Sequence, residues 1–154
     1  MPLGIANVSP LAQARSSGVA GAVSKIVYKA TELRAVAEGQ YQFVASDESV
    51  DRMGDVIRVS GWQLTNYKRN PIILFQHQSD CPVGIATKVW VEGKALLCQI
   101  KLAAMGTSPF IDSLRMLLDQ GIVKAVSVGF APTASPNYLR DKQDQVTGYE
   151  FIAQ

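Results

Sequence analysis

Two side chains that could carry out chemistry stand out in the sequence: a serine in a short apolar stretch and the single histidine. The stretch KAVSVGFAP, residues 124–132, alternates as a β-strand does, with Val126, Val128 and Phe130 on one side. Ser127 falls on the other side, between Ala125 and Gly129, which have almost no side chain. Such a bare face suits either close packing against another backbone or the approach of a reacting group to the hydroxyl.

The histidine, His77, ends the stretch PIILFQH, which predicts a second strand with Ile73, Phe75 and His77 on one face. A serine hydroxyl is a weak nucleophile at neutral pH, and a neutral imidazole within hydrogen-bond distance is its usual activating base. The two residues meet only if folding brings their strands together. Taken separately, each has a structural explanation: a satisfied histidine at a strand end, and a small serine chosen for packing.

Composition narrows the classes of function. The chain has 154 residues, 47% hydrophobic and 18% charged, which predicts one folded domain with a real core. A net charge of +2 gives no case for nucleic-acid binding, and no apolar run reaches the length of a membrane span. Cys81 and Cys98 form no ligand pattern, and Cys98 is expected in the core of a strand. We therefore expect no metal, no cofactor, no nucleic-acid partner and no membrane partner.

The pattern of elements predicts an α+β or mostly β fold, in which a mainly antiparallel sheet or barrel has helices packed outside. Residues 1–23 are expected to form a flexible arm and residues 24–154 a single domain. A tight turn at Glu92-Gly93 joins two predicted strands. The loop DRMGD is expected to be a turn whose carboxylates cap local backbone amides, because it lacks the further oxygen ligands of a calcium loop.

The best helix signal lies just before the serine strand. Ser108 suits its N-cap, Pro109 its first position and Gly121 its end. Its apolar stripe, expected to contact the core, consists of Phe110, Leu114, Leu117 and Leu118. A second, short helix is predicted over residues 60–70, and residues 133–148 are expected to form a long polar loop.

The order of several motifs carries a family resemblance. DRMGDVIRVSGW, then NYKRNPIILFQH, a helix, and GIVKAVSVGFAP together resemble the prohead maturation proteases of tailed bacteriophages, over roughly residues 40–132. The resemblance implies an assemblin-like serine peptidase, a β-barrel wrapped by helices, with His77 and Ser127 as its catalytic residues. It also implies an endopeptidase that cleaves scaffold protein, or a scaffolding segment of the capsid protein, and usually itself. Such enzymes act inside the immature capsid in the bacterial host cytoplasm, and they can self-associate.

The third catalytic residue is missing from the motifs. The resemblance implies an acid on a strand downstream of the serine, and Glu150 is the only carboxylate of the last strand but comes early for that role. We expect that the domain lacks its C-terminal strand or strands and that the acid lies beyond Gln154. Two alternatives stay open: a catalytically inactive, scaffold-like capsid assembly component with the same fold, and a small esterase on an unrelated fold. The esterase ranks low because AVSVG lacks the first glycine of G-x-S-x-G.

Overall fold

A computed structural model describes residues 3–6, 25–28 and 33–154 of the chain. Eleven strands and one α-helix lie within these residues, together with two short 3₁₀ helices at Val59–Gly61 and Tyr67–Arg69. In chain order the elements are β1 (Leu3–Ala6), β2 (Lys25–Tyr28), β3 (Arg34–Ala37), β4 (Gln40–Asp47), β5 (Val56–Ile57), β6 (Ile72–Phe75), β7 (Pro82–Glu92), β8 (Ala95–Leu102), α1 (Pro109–Asp119), β9 (Val126–Phe130), β10 (Asn137–Arg140) and β11 (Val146–Phe151).

The strands form two sheets. The larger has the order β2-β9-β1-β6-β7-β8-β4-β3 and the smaller the order β10-β11-β5. Most neighbours run antiparallel, although β1 is parallel to β9 and β5 to β11. The prediction of a mostly β, mainly antiparallel fold is therefore confirmed. The predicted barrel is not formed by these strands, because closure needs the end strands to pair, and β2 and β3 stand at opposite ends of the larger sheet.

The β7–β8 hairpin supplies much of the core. Along β8 every second side chain is buried, as period-2 alternation requires. One of these residues is Cys98, which is fully buried as predicted, and burial raises the pKa of its thiol to about 12. The hairpin turns at Gly93, whose φ of +56° confirms the turn read from Glu92-Gly93. Cys98 is thus an uncharged packing residue of the core.

Helix α1 begins as its sequence predicts. The Ser108 hydroxyl caps it by accepting a hydrogen bond from the Ile111 N–H at 3.2 Å, and Pro109 occupies the first turn. Leu114 and Leu118 of the predicted stripe are buried in the core. Phe110 and Leu117 are exposed instead, and Ile111 is buried. The stripe prediction is therefore right for two of its four residues.

Two local predictions are wrong. Residues 60–70 form 3₁₀ turns at each end of the segment rather than one α-helix, and Val59 and Tyr67 are buried there. The segment predicted as a polar loop holds β10, which pairs with β11. Its alternation is weak because β10 is largely exposed, and a tilted contact between Tyr138 and Tyr149 across the two strands supports the pairing.

The DRMGD turn, residues 51–55, leads into β5 and is hydrogen-bonded to β11 of the smaller sheet. Asp51 Oδ1 accepts hydrogen bonds from the Met53 and Asp55 N–H groups at 2.8 and 2.9 Å, which confirms the predicted capping role. Asp55 Oδ1 accepts another, from the Tyr149 N–H of β11 at 2.7 Å. At the same place a Cβ at Gly148 would overlap the carbonyl of Gly54, so the two backbones pass too closely for a side chain at residue 148.

The predicted division into an arm and a domain can be compared with the structure only at strand β1. The segment expected to be an arm, residues 1–23, contributes β1 to the larger sheet. Residues 7–24 lie outside the described residues, so the boundary between arm and domain stays a prediction. No helix in the described ranges has the length and apolar character to cross a membrane.

Candidate active site

Ser127 lies on β9, which is bordered by β2 on one edge and β1 on the other. Its strand neighbours behave as the alternation predicts, since Val126, Val128 and Phe130 are all buried in the hydrophobic core. Ser127 itself is 0% exposed. The bare face of the strand is therefore covered, and the question is what the hydroxyl contacts there.

His77 is placed by a turn and not by a strand. Strand β6 ends at Phe75, so the predicted face shared by Ile73, Phe75 and His77 is wrong at its last member. The Gln78 N–H donates to the Phe75 carbonyl at 3.0 Å, and the two residues between them, Gln76 and His77, have φ of +49° and +58°. Positive φ at both central positions is typical of type I′ turns. For non-glycine residues this conformation costs roughly 1–2 kcal/mol each.

The turn aims the imidazole at the serine. His77 Nε2 lies 2.6 Å from Ser127 Oγ, within hydrogen-bond distance. In the tautomer that carries its proton on Nδ1, Nε2 accepts the hydrogen bond and the serine hydroxyl donates it. The structure thus brings the two predicted residues together, in the geometry that a general base needs to remove a hydroxyl proton.

Burial keeps this imidazole in its basic form. His77 is half-buried, and removal from water lowers its pKa from the ordinary value, because the charged imidazolium loses hydration. At neutral pH the ring is therefore uncharged, which is the state that accepts a proton. The free energy of unfolding should decrease as the pH falls below about 6.5, since the unfolded chain binds that proton more readily.

We expect the His77 imidazole to titrate below about pH 6.5, the ordinary value for an exposed histidine. Because the chain has one histidine, a ¹H–¹³C NMR titration follows its ring signal without an assignment step. The control is the same titration in concentrated urea, where the midpoint should return to the ordinary value. A folded-state midpoint equal to or above the unfolded one would contradict the burial argument.

One aromatic contact supports the turn and was not foreseen. Phe75, two residues before His77, packs edge-to-face on Phe110 of helix α1, with ring centroids 4.9 Å apart. Phe110 belonged to the predicted core stripe, and its role is instead to brace the end of β6. Nothing local in the sequence pairs these two rings, because the contact forms only when the helix docks on the sheet.

Glu150, the one carboxylate considered for the third position, is engaged elsewhere. Its Oε1 accepts a hydrogen bond from Arg58 Nε at 2.6 Å, and its Oε2 accepts one from Asn137 Nδ2 at 2.9 Å. The hydrogen bond from Asn137 and the Arg58 guanidinium lower the pKa of this carboxyl group. Arg58 also contacts Glu48 at 3.0 Å. Glu150 therefore belongs to an ion-pair network on the small sheet.

A cavity of about 360 Å³ lies beside the serine strand. Its walls come from the segment after the first 3₁₀ helix, from β7 and β8, and from β9 and the residues after it. The apolar contributors include Trp62, Tyr67, Val128 and Phe130. Trp62 packs edge-to-face on Phe130, with centroids 5.5 Å apart. Because Val128 and Phe130 lie on the face of β9 opposite to Ser127, the strand itself separates this cavity from the serine hydroxyl.

A buried serine hydroxyl bonded to a neutral imidazole is the nucleophile–base arrangement of serine hydrolases. The chain is also similar to a protein named prohead protease from Escherichia phage T5. The two are 39% identical over 92 residues, which cover 56% of this chain and 41% of the phage protein. The chain thus spans less than half the length of that relative. The name of the relative agrees with the resemblance read from the motifs. No protein-family model and no solved structure matches the chain.

Proposed function

We propose that the chain is a serine endopeptidase of phage capsid maturation. The observation that carries the proposal is the 2.6 Å contact between His77 Nε2 and Ser127 Oγ. The phage T5 relative supports the biological setting, since that protein is named a prohead protease. The substrates are scaffold protein or scaffolding segments of the capsid protein, and the chain itself. The site of action is the immature capsid in the bacterial host cytoplasm. There the chain can also associate with further copies of itself.

The proposed reaction is acyl transfer. Ser127 Oγ attacks the carbonyl carbon of the scissile peptide while His77 Nε2 takes the hydroxyl proton. When the C–N bond breaks, the same proton passes to the leaving amine, and the acyl group stays on Ser127 as an ester. Water, deprotonated by His77, then attacks the ester, and the serine regains its proton as the carboxylic product leaves.

The proposed reaction also needs an oxyanion site and a fixed imidazole tautomer. Backbone N–H groups must stabilise the negative oxygen of the tetrahedral intermediate, as in other acyl-transfer enzymes. An acid hydrogen-bonded to Nδ1 would hold the imidazole proton there and so keep Nε2 basic. Without such an acid, activity should be lower but not absent, because the serine, the histidine and the oxyanion site still act.

The same contact favours an enzyme over an inactive scaffold-like component. A component without activity has no need of an uncharged base at hydrogen-bond distance from a buried serine hydroxyl. A left-handed backbone at His77 points in the same direction, since strained conformations persist where the surrounding structure holds them and cluster at functional sites.

Covalent labelling tests the proposal directly. A fluorophosphonate, which phosphonylates activated serines, should add one adduct to the chain on prolonged incubation, and peptide mapping should place it on Ser127. Ser127→Ala should remove the adduct. Ser46→Ala is the matched control, because Ser46 is a second serine with 0% exposure on a strand of the same sheet, and it should leave the labelling unchanged. Absence of an adduct on Ser127 would contradict the proposal.

A further inference from the structure

The serine strand has no open edge for a substrate. Ser127 is 0% exposed, and β9 pairs along one side with β2 and along the other with β1. Endopeptidases commonly bind their substrates as extended strands, which pair through main-chain hydrogen bonds with an edge of a sheet. In this chain such a substrate can pair with β9 beside Ser127 only if β1 or β2 is displaced from the sheet.

Strand β1 occupies the position nearest to the base. It lies between β9 and β6, the strand that leads into the His77 turn, and β9 and β6 are not direct neighbours. Gly4 stands level with Ser127 on one side and with Leu74 on the other. The His77–Ser127 hydrogen bond therefore joins the turn after β6 to β9 across the backbone of β1.

The geometry around β1 is that of a slot for one extended chain. Neighbouring strands lie about 4.8 Å apart, so β6 and β9 are separated by roughly 10 Å, with one strand edge on each side of the gap. Residues level with each other on paired strands share a face. The occupant residue beside Ser127 consequently lies beneath the imidazole, and glycine, which has no side chain, leaves that space open.

We propose that β1 is an exchangeable, substrate-like occupant of this slot, which keeps the site closed until an extended polypeptide replaces it. The proposal rests on the proposed peptidase function. The substrate class is an extended polypeptide that runs parallel to β9 and antiparallel to β6. It carries glycine, or another residue with a small side chain, beside Ser127. Residues 7–24 link β1 to β2, a connection long enough for β1 to leave while β2 stays paired.

The test compares the full-length chain with Gly4→Pro. Proline has no N–H and is not accommodated in a central strand, so the substitution should release β1. Gly18→Pro is the matched control, since it places the same residue in the connection between the two strands. Amide hydrogen exchange of residues 72–75 and 126–130 reports whether the slot is filled, and fluorophosphonate labelling of Ser127 reports whether the site is open.

Gly4→Pro should make both exchange and labelling about tenfold faster, which corresponds to ~1.4 kcal/mol of pairing free energy. A synthetic peptide of residues 1–8, added in excess, should slow both again, and the same peptide with proline at position 4 should not. Gly18→Pro should behave as the unmodified chain does.

Other outcomes separate the two proposals. Unchanged exchange in Gly4→Pro would overturn the inference, because β1 would then be absent from the slot. Faster exchange throughout the domain would also overturn it, because β1 would then be a permanent part of the sheet. Expected changes in exchange without any labelling of Ser127 in either chain would overturn the peptidase function, and the exchange of β1 would stand as a conformational property.

Discussion

Ser127→Ala is expected to abolish cleavage of a scaffold or capsid-protein substrate and to leave the fold intact. The substitution removes the one oxygen that His77 Nε2 contacts at 2.6 Å, so no acyl intermediate can form. In subtilisin the loss of the corresponding serine costs on the order of a million-fold in turnover. The stability change should be small, about 1 kcal/mol, since one hydrogen bond is lost and no large side chain is removed. A time course of cleavage products, with urea unfolding of the same preparations, measures both quantities.

Ser46→Ala is the control for this experiment. Ser46 lies on β4 with 0% exposure, and its hydroxyl makes no hydrogen bond within the described part of the chain. Removing a buried, unpaired hydroxyl is neutral or stabilising, so cleavage should continue at the unmodified rate. Cleavage by Ser127→Ala would refute the assignment of the nucleophile. Equal losses in both variants would show that burial of a serine in this sheet, and not its chemistry, determines activity.

The parts of the molecule that sequence predicts well are those fixed by neighbours along the chain. The cap of α1 is one example, because Ser108 and Pro109 act on the first turn that follows them. The alternation of β9 is another, since burial of Val128 and its strand neighbours follows from period-2 geometry alone. For Ser127 and His77 the sequence predicts only that they can meet if folding brings their strands together, because it does not give the order of the strands.

The parts that sequence does not predict depend on contacts between distant segments. The turn at His77 has positive φ without glycine, asparagine or aspartate at its central positions, so local turn signals are absent. The insertion of β1 between β9 and β6 brings together residues from the start, middle and end of the described chain. The barrel expectation was wrong for the same reason, because closure is decided by which distant strands pair.

His77→Gly is the second substitution expected to have a large effect, and it separates chemistry from backbone conformation. Glycine adopts a φ of +58° without steric cost, so the turn should form at least as readily and gain about 1 kcal/mol from relieved strain. The variant keeps Ser127 but has no base, and turnover should fall by a factor on the order of a million, as for loss of the corresponding histidine in subtilisin. Added imidazole should restore part of the cleavage, because the vacated space lies beside the hydroxyl. The measurement is the initial cleavage rate with and without imidazole.

Gln76→Gly makes the same backbone change one residue earlier. Its φ of +49° is relieved in the same way, and the His77 imidazole is retained. The cleavage rate should stay within about tenfold of the unmodified chain, which is ~1.4 kcal/mol in the activation barrier. A loss of that size is expected because a more flexible turn positions the imidazole less well. If Gln76→Gly loses as much activity as His77→Gly, the rigidity of the turn and not the imidazole sets the rate. If His77→Gly cleaves at the unmodified rate, the base lies elsewhere and the contact with Ser127 is structural.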